Sequence, residues 1–151
     1  MGEGSVREEK LTDLIGSFRE VFGLKDPDPL TYSSLNLAYI GDTVYEVLNR
    51  TLALAHGNRQ VQKLHRECSS RANAGAQAKV YEKIAPLLTE EEEAVFKRGR
   101  NTEVYTKAKN ATTADYHTAT GLEALIGYLF LKEEYGRIAE LVTAGWKEEN
   151  G

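Results

Sequence analysis

The chain has 151 residues, of which 41% are hydrophobic, and its formal net charge is -4. That length suits a single domain whose core forms without disulfides or metal ions. The one cysteine, Cys68, excludes an intramolecular disulfide and suits a reducing compartment. No apolar run approaches the roughly 18 residues of a membrane span, and the polar residues 1–5 do not resemble a secretory signal. We therefore expect a cytoplasmic protein that makes no membrane contact.

The charges are unevenly distributed along the chain. Residues 97–110 carry five basic side chains and one acid, and residues 59–71 carry four basic side chains and one acid. Acidic residues are concentrated at 90–93 and near the two termini. A protein of acidic overall charge can still present a basic face that attracts phosphates. The net charge therefore does not exclude a nucleic-acid partner.

The apolar spacing is helical along nearly the whole chain, and no stretch shows the alternation of a β-strand. Gly23 and Pro86 mark helix ends, Ser33 or Ser34 caps the second helix, and Thr89 opens a capping box. Helices are predicted over residues 7–22, 34–55, 59–70, 72–85, 89–97, 115–132 and 135–148.

The same pattern predicts how the chain is organised. We expect an N-terminal helix and linker over residues 1–29, followed by one all-α domain over residues 30–151. Residues 99–114 are rich in Thr, Asn and Lys and show no periodicity, which predicts a flexible basic loop ended by a helix that Asp115 caps.

Asp42 and Glu123 each lie in an otherwise apolar helical stretch. An acid in that setting must be solvated, paired or bound to a cation. Gly41 adjoins Asp42, and Gly121 precedes Glu123 by two residues. A glycine inside a helix costs about 1 kcal/mol relative to alanine, and close approach of another backbone or of a ligand is the usual compensation. We therefore predict two helices that cross closely and direct both acids at one cation.

These stretches resemble a known family. Leu37–Val44 resembles the signature helix of the ribonuclease III catalytic domain, and Glu123–Gly127 resembles the second motif of that domain. The likeness extends to the Mini-ribonuclease III branch, whose members are similar at Ala-Tyr-Ile-Gly-Asp, here residues 38–42, at Lys-Arg-Gly-Arg-Asn, here residues 97–101, and at Thr-x-x-Glu-Ala-Leu-x-Gly-Tyr, here residues 120–128. The chain ends at residue 151, so we expect no C-terminal double-stranded-RNA-binding domain, as in that branch.

The resemblance implies an all-α ribonuclease III fold that forms a homodimer through the signature helix. It implies an endoribonuclease that cleaves double-stranded RNA and leaves 5′-phosphate ends, with Asp42 and Glu123 as catalytic residues and ligands of Mg²⁺, for which Mn²⁺ can substitute. It also implies a physiological substrate, the paired ends of precursor 23S ribosomal RNA, and a large-subunit ribosomal protein as an assisting partner.

The chain departs from the pattern of full-length ribonuclease III at two positions. That enzyme places four acids around its metals, and two of the four positions are Ala38 and Thr120 here. Magnesium commonly takes one or two carboxylates and completes its octahedron with waters and substrate phosphate oxygens. The chemistry therefore survives the two replacements, but the number of metal ions in each site stays open.

Several residues have two open interpretations. Glu46 lies four residues after Asp42 on the same helix face and either supports the metal ligands, together with Thr120, or is an ordinary solvated or ion-paired glutamate. The basic residues either contact RNA phosphates or form a solvated surface. The candidates for RNA binding are Lys97, Arg98, Arg100, Lys107, Lys109, Arg66 and Arg71.

The quaternary structure and the reaction have rival interpretations as well. Leu37, Tyr39, Ile40 and Val44 give the signature helix more apolar surface than a monomer core needs to cover, which supports the homodimer. Two other functions fit the sequence: a non-catalytic protein that binds double-stranded RNA or the ribosome through the same fold, and a dimerisation module. Binding of an RNA duplex without cleavage would select the first of these.

Overall fold

The structure is a computed structural model that describes residues 11–102 and 113–147. Within those residues it contains α-helices and no β-strand, so the all-α prediction is confirmed. Two 3-10 turns connect helices, at Pro29–Thr31 and at Ala85–Leu87. The helices are α1 (Leu11–Phe22), α2 (Ser34–Ala55), α3 (Val61–Ala72), α4 (Ala74–Ile84), α5 (Glu90–Arg100), α6 (Thr113–Leu131) and α7 (Tyr135–Trp146).

Helix α6 forms the centre of the domain. Eleven of its residues are buried, and they lie on all sides of the helix, as expected for a helix enclosed by protein rather than one with a solvent-facing side. Helices α2, α4, α5 and α7 pack around it. Leu122, Leu125 and Leu129 are at most 1% exposed, and burial of each contributes about 1.5–3 kcal/mol. The second predicted motif therefore lies in the core.

The signals that begin and end helices act as the sequence predicts at several positions. The Ser33 hydroxyl accepts a hydrogen bond from the Asn36 backbone N–H and caps α2. Thr89 and Glu92 form a reciprocal capping box at the start of α5. Gly23 ends α1 with a φ of +85°, a conformation that favours glycine.

The bounds predicted for the loop, residues 99–114, are wrong at both ends. Helix α5 continues through Gly99 to Arg100, and α6 begins at Thr113, before the expected cap at Asp115. Gly99 lies inside α5 and does not end it. A Cβ on Gly99 would be 2.9 Å from the Ala124 Cβ, so the absence of a side chain allows α6 to pack closely at this position. Residues 103–112, which include Lys107 and Lys109, lie outside the described residues.

Helix α1 is an outlying element of the domain. Ile15 packs against the core, and the Arg19 guanidinium pairs with Glu133 at 3.3 Å. Phe18 and Val21 are exposed. In the described part of the chain, no helix is both long and apolar enough to span a membrane.

Candidate active site

Helices α2 and α6 touch through their backbones at two glycines. A Cβ on Gly41 would lie 1.8 Å from the Glu123 carbonyl oxygen, and a Cβ on Gly127 would lie 1.9 Å from the Leu37 carbonyl oxygen. Real Cβ atoms do not approach so closely, so only glycine allows this crossing. The crossing lies within one chain, and it brings Asp42 of α2 to Glu123 of α6, as the sequence predicts.

The Asp42 and Glu123 carboxyl groups lie close enough for the charge of Asp42 to act on Glu123. Two ionised carboxylates so placed repel each other. Burial raises the pKa of Glu123 well above its usual range, and the negative charge of Asp42 raises that pKa further. Asp42 itself is exposed. The structure therefore favours the protonated form of Glu123 unless a cation offsets the negative charge.

Gln77 of α4 is a third member of this cluster, and it is not among the site residues predicted from the sequence. Its side chain is 2% exposed, and its Nε2 donates to Glu123 Oε2 over 3.4 Å. This hydrogen bond lowers the pKa of Glu123, against the effects of burial and Asp42. A signal exists in the sequence, since Gln77 is the one polar residue in the small-residue stretch Ala74–Ala78.

An open cleft of about 560 Å³ lies beside Asp42, between α2 and α3. Glu46 lines it, and its carboxylate accepts a hydrogen bond from Arg50 Nε at 2.9 Å. Glu46 thus shares the cleft with Asp42, but its charge is partly neutralised by Arg50. His65 and Ser69 of α3 line the opposite side.

The basic residues predicted to bind RNA have different environments. Lys97 and Arg98 are exposed near the end of α5, and Arg100 lies there over the Phe96 ring. Arg66 is exposed on α3. Arg71 is held inside the protein: its side chain is 16% exposed, it donates to Asn49, and it pairs with Glu67. The geometry thus leaves Lys97, Arg98 and Arg66 accessible, whereas the Arg71 guanidinium has internal partners.

The comparison with protein families decides the assignment. Residues 35–134 match the model of the ribonuclease III domain. The chain belongs to the ribonuclease III family. As a member of it, the chain is an endoribonuclease, and the predicted recognition of this family is confirmed.

Individual relatives agree with the family match. The chain is 41% identical over 117 residues to Mini-ribonuclease 3 of Symbiobacterium thermophilum, which covers 78% of this chain and 90% of the relative. It is 45% identical over 120 residues to Mini-ribonuclease 3 of Clostridium tetani, covering 79% and 76%. The crystal structure of protein FN1578 from Fusobacterium nucleatum superimposes with a TM-score of 0.75 at 30% identity and covers 81% of this chain and all of that one.

The two positions where this ribonuclease III chain lacks an acid are used for packing. Ala38 is 7% exposed and belongs to the hydrophobic core. Thr120 is equally buried, and its hydroxyl donates to the Tyr116 carbonyl oxygen at 3.1 Å. Among the described residues, no three His, Cys, Asp or Glu side chains are grouped as they would be to hold a metal ion. Of the four acid positions, Asp42 and Glu123 are the two that carry a carboxylate, and they are the candidate ligands for a cation.

These two carboxylates fit a divalent cation of the kind on which the family generally depends. When both are ionised they concentrate negative charge at one point, and burial and the charge of Asp42 oppose the ionisation of Glu123. A hard cation with oxygen ligands would compensate that charge. The fit rests on the donor atoms and their proximity.

Proposed function

We propose that this protein is a Mg²⁺-dependent endoribonuclease that cleaves double-stranded RNA at Asp42 and Glu123. The observation that carries the proposal is the glycine crossing of α2 and α6, which brings Asp42 close enough for its charge to raise the pKa of Glu123. A fold without a cation site has no use for two adjacent acids, since their repulsion opposes folding. The family acts on double-stranded RNA, which supplies the substrate class.

The two carboxylates have different tasks in this proposal. Magnesium neutralises charge on the phosphate and activates the attacking water when it is bound. Asp42 is exposed beside the cleft, so it is the ligand that also faces the substrate. Glu123 is half-buried and held by Gln77, so it fixes the position of the cation from the inner side. Mn²⁺ presents the same charge and is expected to substitute.

Phosphates of the duplex would contact the exposed basic side chains. A-form RNA is recognised through phosphates and 2′-hydroxyls rather than through base edges. Lys97, Arg98 and Arg100 at the end of α5, with Arg66 on α3, supply charges of the right sign, and the proposal extends to Lys107 and Lys109. Weak sequence preference follows from this mode of contact.

A homodimer would let one protein cleave both strands, since a local two-fold axis relates the strands of a duplex. Tyr39 is 82% exposed on α2, and Val47 on the same helix is 46% exposed. Val47 also lines a largely apolar cavity of about 220 Å³, together with Ile40, Val44 and Phe130. Exposed apolar side chains and an apolar cavity on one helix suit a self-complementary interface. Leu37 takes no part in it, because Leu37 is fully buried in the core of its own chain.

The physiological substrate within this proposal is precursor 23S ribosomal RNA, cleaved at its paired ends in the cytoplasm with help from a large-subunit ribosomal protein. The support is the similarity to proteins named Mini-ribonuclease 3. The free thiol of Cys68 agrees with a reducing compartment.

The decisive experiment is cleavage of a long RNA duplex with and without Mg²⁺ by the wild type and by Asp42→Asn. The variant should bind duplex normally and lose roughly 100-fold or more of its cleavage rate, because it removes a charge that holds the cation. Asp26→Asn is the matched control, since Asp26 is an exposed acid outside the cluster. Binding without cleavage by the wild type would select the non-catalytic alternative. Equal rates for Asp42→Asn and the wild type would exclude Asp42 from the site.

A further inference from the structure

Gln77 is a buried amide that points at an acid across a large separation in sequence. It is 2% exposed and lies 46 residues before Glu123, to whose Oε2 its Nε2 donates. Its helix, α4, begins at a firm cap, since the Asn73 side chain accepts a hydrogen bond from the Ala76 backbone N–H at 2.8 Å. Helix α4 also packs directly on α6. The amide is therefore held in place from its own helix.

Glu123 needs such a contact because its other partner repels it. Ionised Asp42 and ionised Glu123 repel each other, and this repulsion favours movement of the Glu123 carboxylate away from Asp42 unless a donor restrains it. The positions where full-length relatives have further acids, Ala38 and Thr120, are engaged in packing. Restraint of Glu123 must therefore come from another element.

We propose that Gln77 is a positioning residue that holds the Glu123 carboxylate toward Asp42, so that two carboxylates alone form a defined cation site. This inference rests on the proposed function, since it concerns the same cation. Gln77 acts through Glu123 and does not touch the substrate.

The chemistry of the amide explains why glutamine suits this position. A glutamate would add a third negative charge and could not donate unless it were protonated. A lysine would neutralise the pair and compete with the cation. An amide donates a hydrogen bond without a charge, so it orients the carboxylate and leaves the negative charge available to the metal.

The test compares Mn²⁺ binding by the wild type, Gln77→Met and Asp42→Asn, measured from the electron paramagnetic resonance signal of free Mn²⁺. Methionine has similar length and no donor. Loss of a hydrogen bond to a ligating side chain typically weakens metal binding by about 10- to 100-fold, and we expect a rise in the Mn²⁺ Kd within that range for Gln77→Met. Gln62→Met, at an exposed glutamine of α3, is the matched control and should bind like the wild type.

Cleavage kinetics give a second measure. Gln77→Met should lower kcat at low Mg²⁺ and leave the KM for duplex RNA unchanged, and the lost rate should return as Mg²⁺ is raised. A purely structural role would not produce recovery with Mg²⁺.

Each outcome decides between the two proposals. Equal Mn²⁺ affinity of Gln77→Met and the wild type overturns the role of Gln77 and leaves the proposed function intact. Equal Mn²⁺ affinity of Asp42→Asn and the wild type would show that Asp42 holds no cation and would overturn the proposed function. If circular dichroism shows that Gln77→Met does not fold, the amide has a structural role, and the inference is also overturned.

Discussion

Asp42 and Glu123 have the same functional group in different environments. Asp42 is exposed at the edge of a cleft, whereas Glu123 is half-buried between α4 and α2. Burial and the neighbouring charge raise the pKa of Glu123, and the Gln77 amide opposes that rise. Cation binding by this pair should therefore release a proton at neutral pH, because the cation replaces the proton that the raised pKa, about 8, leaves on Glu123.

Glu67 shows the opposite behaviour, and it makes stability depend on pH. The guanidinium groups of Arg71 and Arg59, with His56, lower the pKa of Glu67 to about 2 from its ordinary value of 4.5. The folded state thus favours the ionised form. The stability contributed by Glu67 is fully present above about pH 4.5 and is lost as pH falls from there toward about 2.

We expect Glu67→Gln to destabilise the protein more at pH 7 than at pH 3, because at pH 3 the unfolded wild type is already stabilised by a proton on Glu67, which the folded state does not bind until about pH 2. Urea unfolding of both proteins at the two pH values measures this difference. Glu20→Gln, at an exposed glutamate of α1, is the control and should show no such dependence. A destabilisation of equal size at both pH values would contradict the role of Glu67 as an ionised partner of Arg59 and Arg71.

At the scale of elements, the crossing of α2 and α6 determines the site. Gly41 faces α6 of its own chain rather than another copy, so its replacement should act first on folding. Gly41→Ala places a methyl carbon where the Glu123 carbonyl oxygen now lies. We expect a loss of about 3 kcal/mol or more in the free energy of unfolding, at the upper end for overpacked cores, because the helices must separate.

Gly136→Ala is the control for that experiment. Gly136 lies in α7, and a Cβ there would meet no atom within 4 Å. The change should be neutral or stabilise the protein by up to about 1 kcal/mol through helix propensity. Chemical denaturation measures both variants. Wild-type stability of Gly41→Ala would mean that the two backbones do not touch at this point.

At the scale of the whole molecule, the exposed apolar face of α2 leads to a prediction about assembly. Tyr39→Glu should convert a dimer into a monomer in sedimentation velocity, because it would bury an unpaired charge in the proposed interface. Cleavage of duplex RNA should fall with the loss of the dimer. Leu87→Glu changes an exposed apolar residue outside α2 and is the control. A wild-type protein that sediments as a monomer would exclude the homodimer.

The distribution of charge leads to a second prediction at this scale. Replacement of Lys97, Arg98 and Arg100 by alanine should weaken duplex binding. It should also reduce the steepness of the plot of log binding constant against log salt concentration by about 2 to 3, because each lost phosphate contact accounts for roughly 0.7–0.9. Single-turnover cleavage at saturating RNA should change much less. Alanine at Lys25, Lys83 and Lys147 removes the same charge elsewhere and should leave the slope unchanged. An equal slope for both triple variants would show that the end of α5 does not contact RNA phosphates.

The sequence by itself determined the helical architecture and identified Asp42 and Glu123 as candidate site residues. Helix spacing, the Ser33 cap and the Thr89 capping box depend on residues within about four positions of each other, so they can be identified without a fold. Asp42 and Glu123 were identifiable as candidates because each lies within two residues of a glycine in an apolar stretch, and because both stretches resemble motifs of one family.

Tertiary structure alone decided what surrounds those acids. Gln77 reaches Glu123 from 46 residues away, and Arg71 reaches Asn49 from 22 residues away. Gly99 has the local signature of a helix end but lies inside α5, since α6 passes where its side chain would be. Such contacts depend on how whole helices pack, and no local pattern encodes them. The acids were therefore predictable from the sequence, whereas the amide that restrains Glu123 and the internal partners of Arg71 became evident only in the folded domain.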